Sequence, residues 1–437
     1  MNIRKLGHDK WELLFFTVLS ITTFLLISSM STAYALPYDT TENTDTTFRD
    51  QAKRIHDRLV GVPPTADALN VMANLLDPAV DGDGENGVEG GNTGAVLAAQ
   101  YAMTASSDST LGNPRAKYFY NVTLKNWITP WTNEDQTMFA PLNDYTALVI
   151  GMIRDEKPFN TVLSADLFYT GNVTNIEADY TGVTIAPFSN SNNNHFEDLE
   201  DNDVDLSNSS YLQEQPQNGI NGAAAGIVTT RTAGEAFFSA GTNRAMFRFT
   251  LINYMCRDLE DVKDVTRVPD RIRQDVSRSP GGDSSIFLNS CIGCHAGMDP
   301  LAQAYAYYEW DEDLGRIIYT PGDVQAKYHI NSTNFEYGYR TPNNHWDNYW
   351  REGPNAGLGW SDSLPGSGDG AASMGQELAN SEAFAQCQVE KVYEQVCLQE
   401  PISNHNTAIA TLTSNFMNTG YNMKNLFAEV AALCMGN

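Results

Sequence analysis

The pentapeptide Cys291-Ile292-Gly293-Cys294-His295 constrains this chain more than any other stretch. Two thiols three positions apart can each form a thioether to one vinyl group of the same porphyrin, and the imidazole that follows at once can take the iron. The spacing predicts covalent attachment of one c-type haem through Cys291 and Cys294, with His295 as proximal iron ligand. A redox dithiol would want a βαβ setting, and a zinc site a second Cys/His pair at close spacing; neither pattern is visible. The plainer alternative is a disulfide between Cys291 and Cys294.

The amino terminus agrees with an exported haem protein. Arg4, Lys5 and Lys10 precede a run without charge from Leu13 to Ile27, and Ala33-Tyr34-Ala35 gives a small-x-small cleavage pattern before Leu36-Pro37. Residues 1–35 read as a secretory signal peptide. The alternative, a retained membrane anchor, asks for roughly 20 apolar residues, and Thr17, Ser20, Thr22 and Thr23 dilute a run already short of that. The mature chain is expected in the periplasm or outside the cell, without membrane insertion. There the remaining cysteines, Cys256, Cys387, Cys397 and Cys434, form an even set that predicts two disulfides in one of three connectivities. Such bridges would staple a C-terminal helical unit to the haem region; buried thiols are the alternative.

Charge and length bound the partners. With 54 acidic and 27 basic residues the formal net charge is −27. A surface of this sign repels nucleic acid and anionic lipid and would steer toward a basic partner, such as a cationic redox protein, although solubility alone accounts for it equally well. At 437 residues the chain exceeds what a lone electron carrier needs, and two domains or one elaborated domain are expected.

Hydrophobic periodicity makes the fold class mainly α, a multi-helix protein with a loop-rich aromatic segment and a C-terminal helical unit, and the Cys291–His295 motif marks its middle as a cytochrome c-like haem region. Residues 36–188 form an N-terminal helical block, with helices expected over 48–59, 66–76 (Thr65 as cap), 94–105, 115–127, 144–155 and 158–168. Between two of these, residues 127–133 read as an aromatic turn. The loop Asp81-Gly82-Asp83-Gly84-Glu85-Asn86 faintly resembles a calcium loop but lacks the expected Gly at its sixth position and Glu at its twelfth, which favours a solvated turn. Residues 189–226 read as an acidic, Asn/Ser-rich insertion or linker with a solvated His195; its carboxylates could hold a divalent cation. Residues 227–370 form the haem block. Helices are expected at 232–239 and 243–260, and Asp299-Pro300 reads as the cap and first position of a further helix over 301–310 with Tyr305 and Tyr308 on one face. Residues 371–437 are helical, with one apolar stripe over 371–396, then 409–417 and 426–435, stopped by Gly420 and Gly436.

Several of these residues resemble one family. Large exported monohaem proteins of planctomycetes and other environmental bacteria carry a block C-x-x-C-H-x-x-M-D-P-x-G, and here Cys291 to Pro300 reproduces it, with Ala302 in place of the last glycine. The family's L-A-x-S-x-x-F-x-x-C pattern is matched by Leu378-Ala379-Asn380-Ser381-Glu382-Ala383-Phe384-Ala385-Gln386-Cys387. Asp155-Glu156-Lys157-Pro158-Phe159 looks like its D-R-P-F element. The resemblance, specific over 227–437, implies a secreted, mainly helical haem protein and no defined reaction. A filled distal iron position would mean electron transfer, and an open one gas or peroxide chemistry. Met374 and His345 are the candidate distal ligands. A core methionine and a hydrogen-bonded loop histidine are their plainer roles, and His329 and His405 rank below them. Met298 is too close to His295 to cross the ring and is expected beside the haem edge. Met423 and Met435 are expected in the core. The function expected from all this is electron transfer with a periplasmic or extracellular partner. A peroxidase- or oxidase-type haem enzyme, or a haem-containing binding or scaffold protein, would also fit. No Ser nucleophile elbow, P-loop or dinucleotide fingerprint is present.

Overall fold

The computed structural model describes residues 46–77, 92–217, 220, 222–238, 242–267, 269–274, 284–330, 332–333 and 335–436. Residues 1–35, read above as a signal peptide, and the Asp81–Asn86 loop lie outside them. The protein is mainly helical, with three small two-stranded antiparallel sheets among the described residues. Asn43–Met435 forms one unit by its contacts, and the segment limits near 188, 226 and 370 fall inside it.

Ten helices of ten or more residues are numbered α1–α10: Thr46–Val60, Ala66–Leu76, Asn92–Met103, Asp144–Arg154, Arg244–Met255, Ile292–Ala302, Gly370–Ala379, Glu382–Cys397, Asn406–Asn418 and Met423–Leu433. Helices from residues 46–103 and 382–433 build one cluster: α10 packs on α3 and α1, α8 on α9 and α10, and α1–α3 on each other. Its start is set locally. Thr65 accepts from the Ala68 amide at 3.1 Å and opens α2, an N-cap worth about 1 kcal/mol. Asn143 and Asn422 cap α4 and α10 the same way. The interior is aromatic. Phe427 meets Phe119 and Trp127 edge-on, both at 5.2 Å, and Trp127 continues to Trp131 at 4.6 Å. Tyr254 of α5 then stacks on Phe384 of α8, tying the cluster to the segment that carries Cys291.

The disulfides are Cys256–Cys387 and Cys397–Cys434, which selects one of the three pairings. The first joins the end of α5 to α8, so the C-terminal helices are stapled to the segment that precedes Cys291. The second ties α8 to the end of α10, where Arg58 of α1 donates to the Cys434 carbonyl.

Five sequence expectations give way to tertiary structure. Residues 158–168 are not a helix: a short 3-10 turn, Phe159–Thr161, leads to strand β1, Phe168–Gly171. The carbonyls of Val162 and Ala165 accept from Ile227 and Gly226, and β1 pairs with β2, Leu212–Gln215, so the backbone groups a helix would use are taken. His195 is buried rather than solvated. It sits in the helix Asn194–Asp201, accepts from the Gly171 amide at 2.8 Å and faces the Ala186 carbonyl at 2.6 Å. The stripe over 371–396 is two helices, because Ser381 caps α8 by accepting from Phe384. Of residues 115–127, 115–116 are a turn and 117–127 are helical, with a π-helical stretch, Phe119–Leu124.

The fifth correction concerns the motif itself. Asp299 does not start a helix. The helix α6 already runs through Cys294 and His295, Pro300 lies inside it, and residues 301–310 end it rather than extend it. A 3-10 turn, Gln303–Tyr305, leads into β3, Tyr308–Asp311, which pairs with β4, Arg316–Tyr319. Tyr308 and Trp310 alternate inward with the period of a strand.

Candidate haem site

The residues ahead of the motif are already helical: Ser284–Ile286 is α and Phe287–Cys291 a π turn, which passes into α6 at Ile292. At about 100° per residue, Cys291, Cys294, His295 and Met298 fall within roughly a 100° arc of the helix, and Gly293 and Gly297 lie on the other side. The glycine side is packed. A Cβ at Gly293 would come 2.6 Å from the Lys263 side chain, and one at Gly297 would strike the indole of Trp350, so close approach requires glycine at both positions. The two thiols and the imidazole are each partly exposed, the Cys294 thiol donating to the Leu259 carbonyl at 3.5 Å, while Met298 is buried.

Cys291 and Cys294 are unpaired thiols in a chain whose other four cysteines are all in disulfides. Burial, with the nearby Glu260 carboxylate adding to it, pushes the Cys294 thiol up, the reverse of what an activated redox dithiol needs. Among the described residues no group of three or more His, Cys, Asp or Glu is arranged to hold a metal ion.

His295 is oriented from behind. Its Nδ1 lies 3.1 Å from Oδ2 of Asp299, one helical turn on, and its ring stands 5.8 Å from that of Phe287. The Asp299 side chain is fully buried and takes Arg244 Nε at 2.9 Å and Nη2 at 3.3 Å, with Arg273 Nη2 at 3.5 Å. Burial alone would raise the Asp299 carboxyl, but the two guanidiniums and the imidazole hold it well below the usual carboxylate range. An ionised Asp299 accepts the Nδ1 proton and leaves the Nε2 lone pair for a metal.

These residues fit a c-type haem. The two thiols share one face, His295 has its second nitrogen engaged, and Ile286 and Leu288, just ahead of the motif in sequence, are exposed apolar side chains.

The distal candidates belong to one substructure. His345 lies in β5, His345–Asp347, which pairs with β6, Ser367–Asp369, and α7 follows β6 directly. Strand β5 packs on α6, and α7 on the Gln303–Tyr305 turn. His345 carries its own partners, Asp369 at 3.0 Å on Nδ1 and Asp347 at 3.8 Å on Nε2. Met374 is buried within α7. His405 bonds to Tyr393 in the C-terminal cluster, apart from the motif. His329 ends a 3-10 turn whose Tyr328 lies under the Arg273 guanidinium.

Sequence reasoning missed Asp299, Arg244 and Arg273 as companions of His295. The signal for Asp299 was available in the His-x-x-x-Asp spacing, since residues four apart on a helix are neighbours; reading Asp-Pro as a helix start concealed it. Arg244 and Arg273 come from distant segments and carry no local signal. The acidic stretch of residues 197–205 spends its charge locally: Glu200 on Lys125 and the Leu142 amide, Asp203 on Lys117, Asp198 on the Ala186 amide. Comparisons with protein-family models, with curated proteins and with solved structures return no match.

Proposed function

We propose that this chain is an exported c-type monohaem protein that carries electrons to or from a periplasmic or extracellular partner. The observation that carries the reading is the shared face of Cys291, Cys294 and His295 on α6, with both thiols unpaired while every other cysteine is bridged. Bound there, the haem would supply a one-electron couple. Cys291 and Cys294 would fix its edge, His295 Nε2 would take the iron, and Asp299 would hold the imidazole in its donor-at-Nδ1 form. Met374 and His345 remain the proposed distal residues. Met374 is the stronger, because a His345 ligand would first have to leave Asp369 or Asp347.

Two disulfides suit an oxidising compartment. Among the described residues no helix is long and apolar enough to cross a membrane. The net charge of −27 favours a basic redox partner, whose association would weaken as salt is added.

One observation favours a second reading, a haem enzyme of peroxidase or oxidase type. A carboxylate on the proximal imidazole raises ligand basicity and favours oxidised iron. Optical and EPR spectra of the purified protein separate the two. A low-spin six-coordinate ferrous form indifferent to carbon monoxide supports electron transfer, and a five-coordinate high-spin iron that binds it transfers the case to the enzyme.

A further inference from the structure

Asp299 is a buried charge held among charges. It neither caps the helix nor meets solvent, and its burial carries a desolvation penalty that an apolar residue would avoid. Three groups converge on its two oxygens. Arg244, from the first turn of α5, binds both of them; Arg273, itself buried and lying over Tyr328, approaches Oδ1; and His295 approaches Oδ2. The guanidiniums fix the carboxylate in position, and its Oδ2 meets His295 Nδ1. An ordinary exposed Asp–His pair on a helix has neither feature.

We propose that Asp299 is a positioning residue for the iron ligand, and that Arg244 sets how strongly it acts. The inference rests on the haem reading above. Accepting the Nδ1 proton fixes the tautomer and gives the imidazole partial anionic character, which makes Nε2 a stronger donor and stabilises ferric over ferrous iron. Arg244 and Arg273 withdraw charge from the same carboxylate and moderate the effect. The potential is thereby tuned by a proton acceptor that never touches the cofactor.

The test uses the full holoprotein, with covalent haem content measured first. Asp299→Asn should retain covalent haem and shift the reduction equilibrium at least tenfold toward ferrous, about 59 mV upward for one electron. Arg244→Gln should move it the other way, because the carboxylate then acts on His295 less opposed. Asp299→Glu should recover part of the wild-type potential. In proton NMR spectra of the ferrous protein, the slowly exchanging His295 Nδ1–H resonance should be lost in Asp299→Asn and kept in Arg244→Gln. That readout separates the hydrogen bond from a through-space charge effect. Covalent haem with an unchanged potential and an unchanged Nδ1–H resonance in Asp299→Asn would overturn the proposal and leave the haem reading standing. If Asp299→Asn does not fold, Arg244→Gln decides: an unshifted or raised potential overturns it. Absence of covalent haem from the wild-type protein would remove both readings together.

Discussion

The cluster of α1–α3 with α8–α10 and the shell around α6 differ in the side chains they bury. In the cluster the contacts are mainly apolar and aromatic, from Phe119 and Phe427 through Trp127 and Trp131 to Tyr254 and Phe384, with the Lys391 ammonium over Trp131 the exception. Around α6 and α7 the buried groups include ions: Asp299 with Arg244 and Arg273, and Glu377, 1% exposed, which takes Arg351 at 2.7 and 2.9 Å and Asn348 at 2.7 Å. Apolar burial stabilises without regard to direction, whereas buried ion pairs add little net stability and fix geometry. The first region reads as the scaffold, and the second as the place where orientation matters.

The largest expected effect falls on the joint between the regions. Replacing Cys256 and Cys387 together by alanine opens a cross-link spanning 131 residues, and the chain-entropy account puts the loss at about 5 kcal/mol. Denaturant unfolding would read it, and a loss below about 1 kcal/mol would show that the aromatic contacts hold the regions together unaided. Within the scaffold, Phe427→Ala should cost about 3–5 kcal/mol, since the side chain is fully buried against two aromatic rings. It should leave the haem spectrum of the folded protein unchanged. A shifted spectrum would dissolve the distinction between scaffold and site.

Glu377→Ala strands Arg351 and Asn348 and should cost on the order of 3 kcal/mol. Glu377→Leu, which removes the carboxylate in a larger apolar side chain, offers a check: a cost as small as that of an apolar swap would place Glu377 with the scaffold.

A smaller effect with a distinctive sign comes from Lys391. Its ammonium donates to the Asn253 carbonyl at 2.7 Å and lies 4.1 Å from the Trp131 ring centre, and burial lowers it to about 7, against a smaller raising effect from Glu394. Between about pH 7 and 10 the unfolded chain, with an ordinary lysine, binds more protons than the folded one, so this group makes stability rise with pH. That contribution is lost as pH falls toward 7. Lys391→Met should therefore flatten the slope relative to the wild type across that window. An identical slope in both proteins would mean the lysine stays charged over Trp131. At the small end, Thr65→Ala should cost about 1 kcal/mol with no spectral change.

How much was legible in the sequence divides along the same line. Thr65 and the apolar spacing of residues 66–76 mark α2 almost to the residue, because a cap and a helical stripe are local signals. The even cysteine count announced two disulfides, but pairing Cys256 with Cys387 required the fold to bring α5 to α8. Residues 158–168 looked helical until Gly226 and Ile227 arrived to take the Val162 and Ala165 carbonyls. His195 looked solvated because its neighbours are polar, yet the β1 backbone receives it. The cysteine and histidine positions of the site are written in five consecutive letters, whereas the charges behind His295 are gathered from residues 244, 273 and 299.

The account turns on whether the face of α6 that presents Cys291, Cys294 and His295 holds haem. The direct measurement is the mass of the tryptic peptide containing Cys291 and Cys294, from protein exported by a host that attaches c-type haem, read with the alkaline pyridine spectrum of the same sample. The account predicts one haem joined through both sulfurs and a c-type spectrum. A peptide bearing two free thiols, or a disulfide between Cys291 and Cys294, from protein matured in such a host would contradict it.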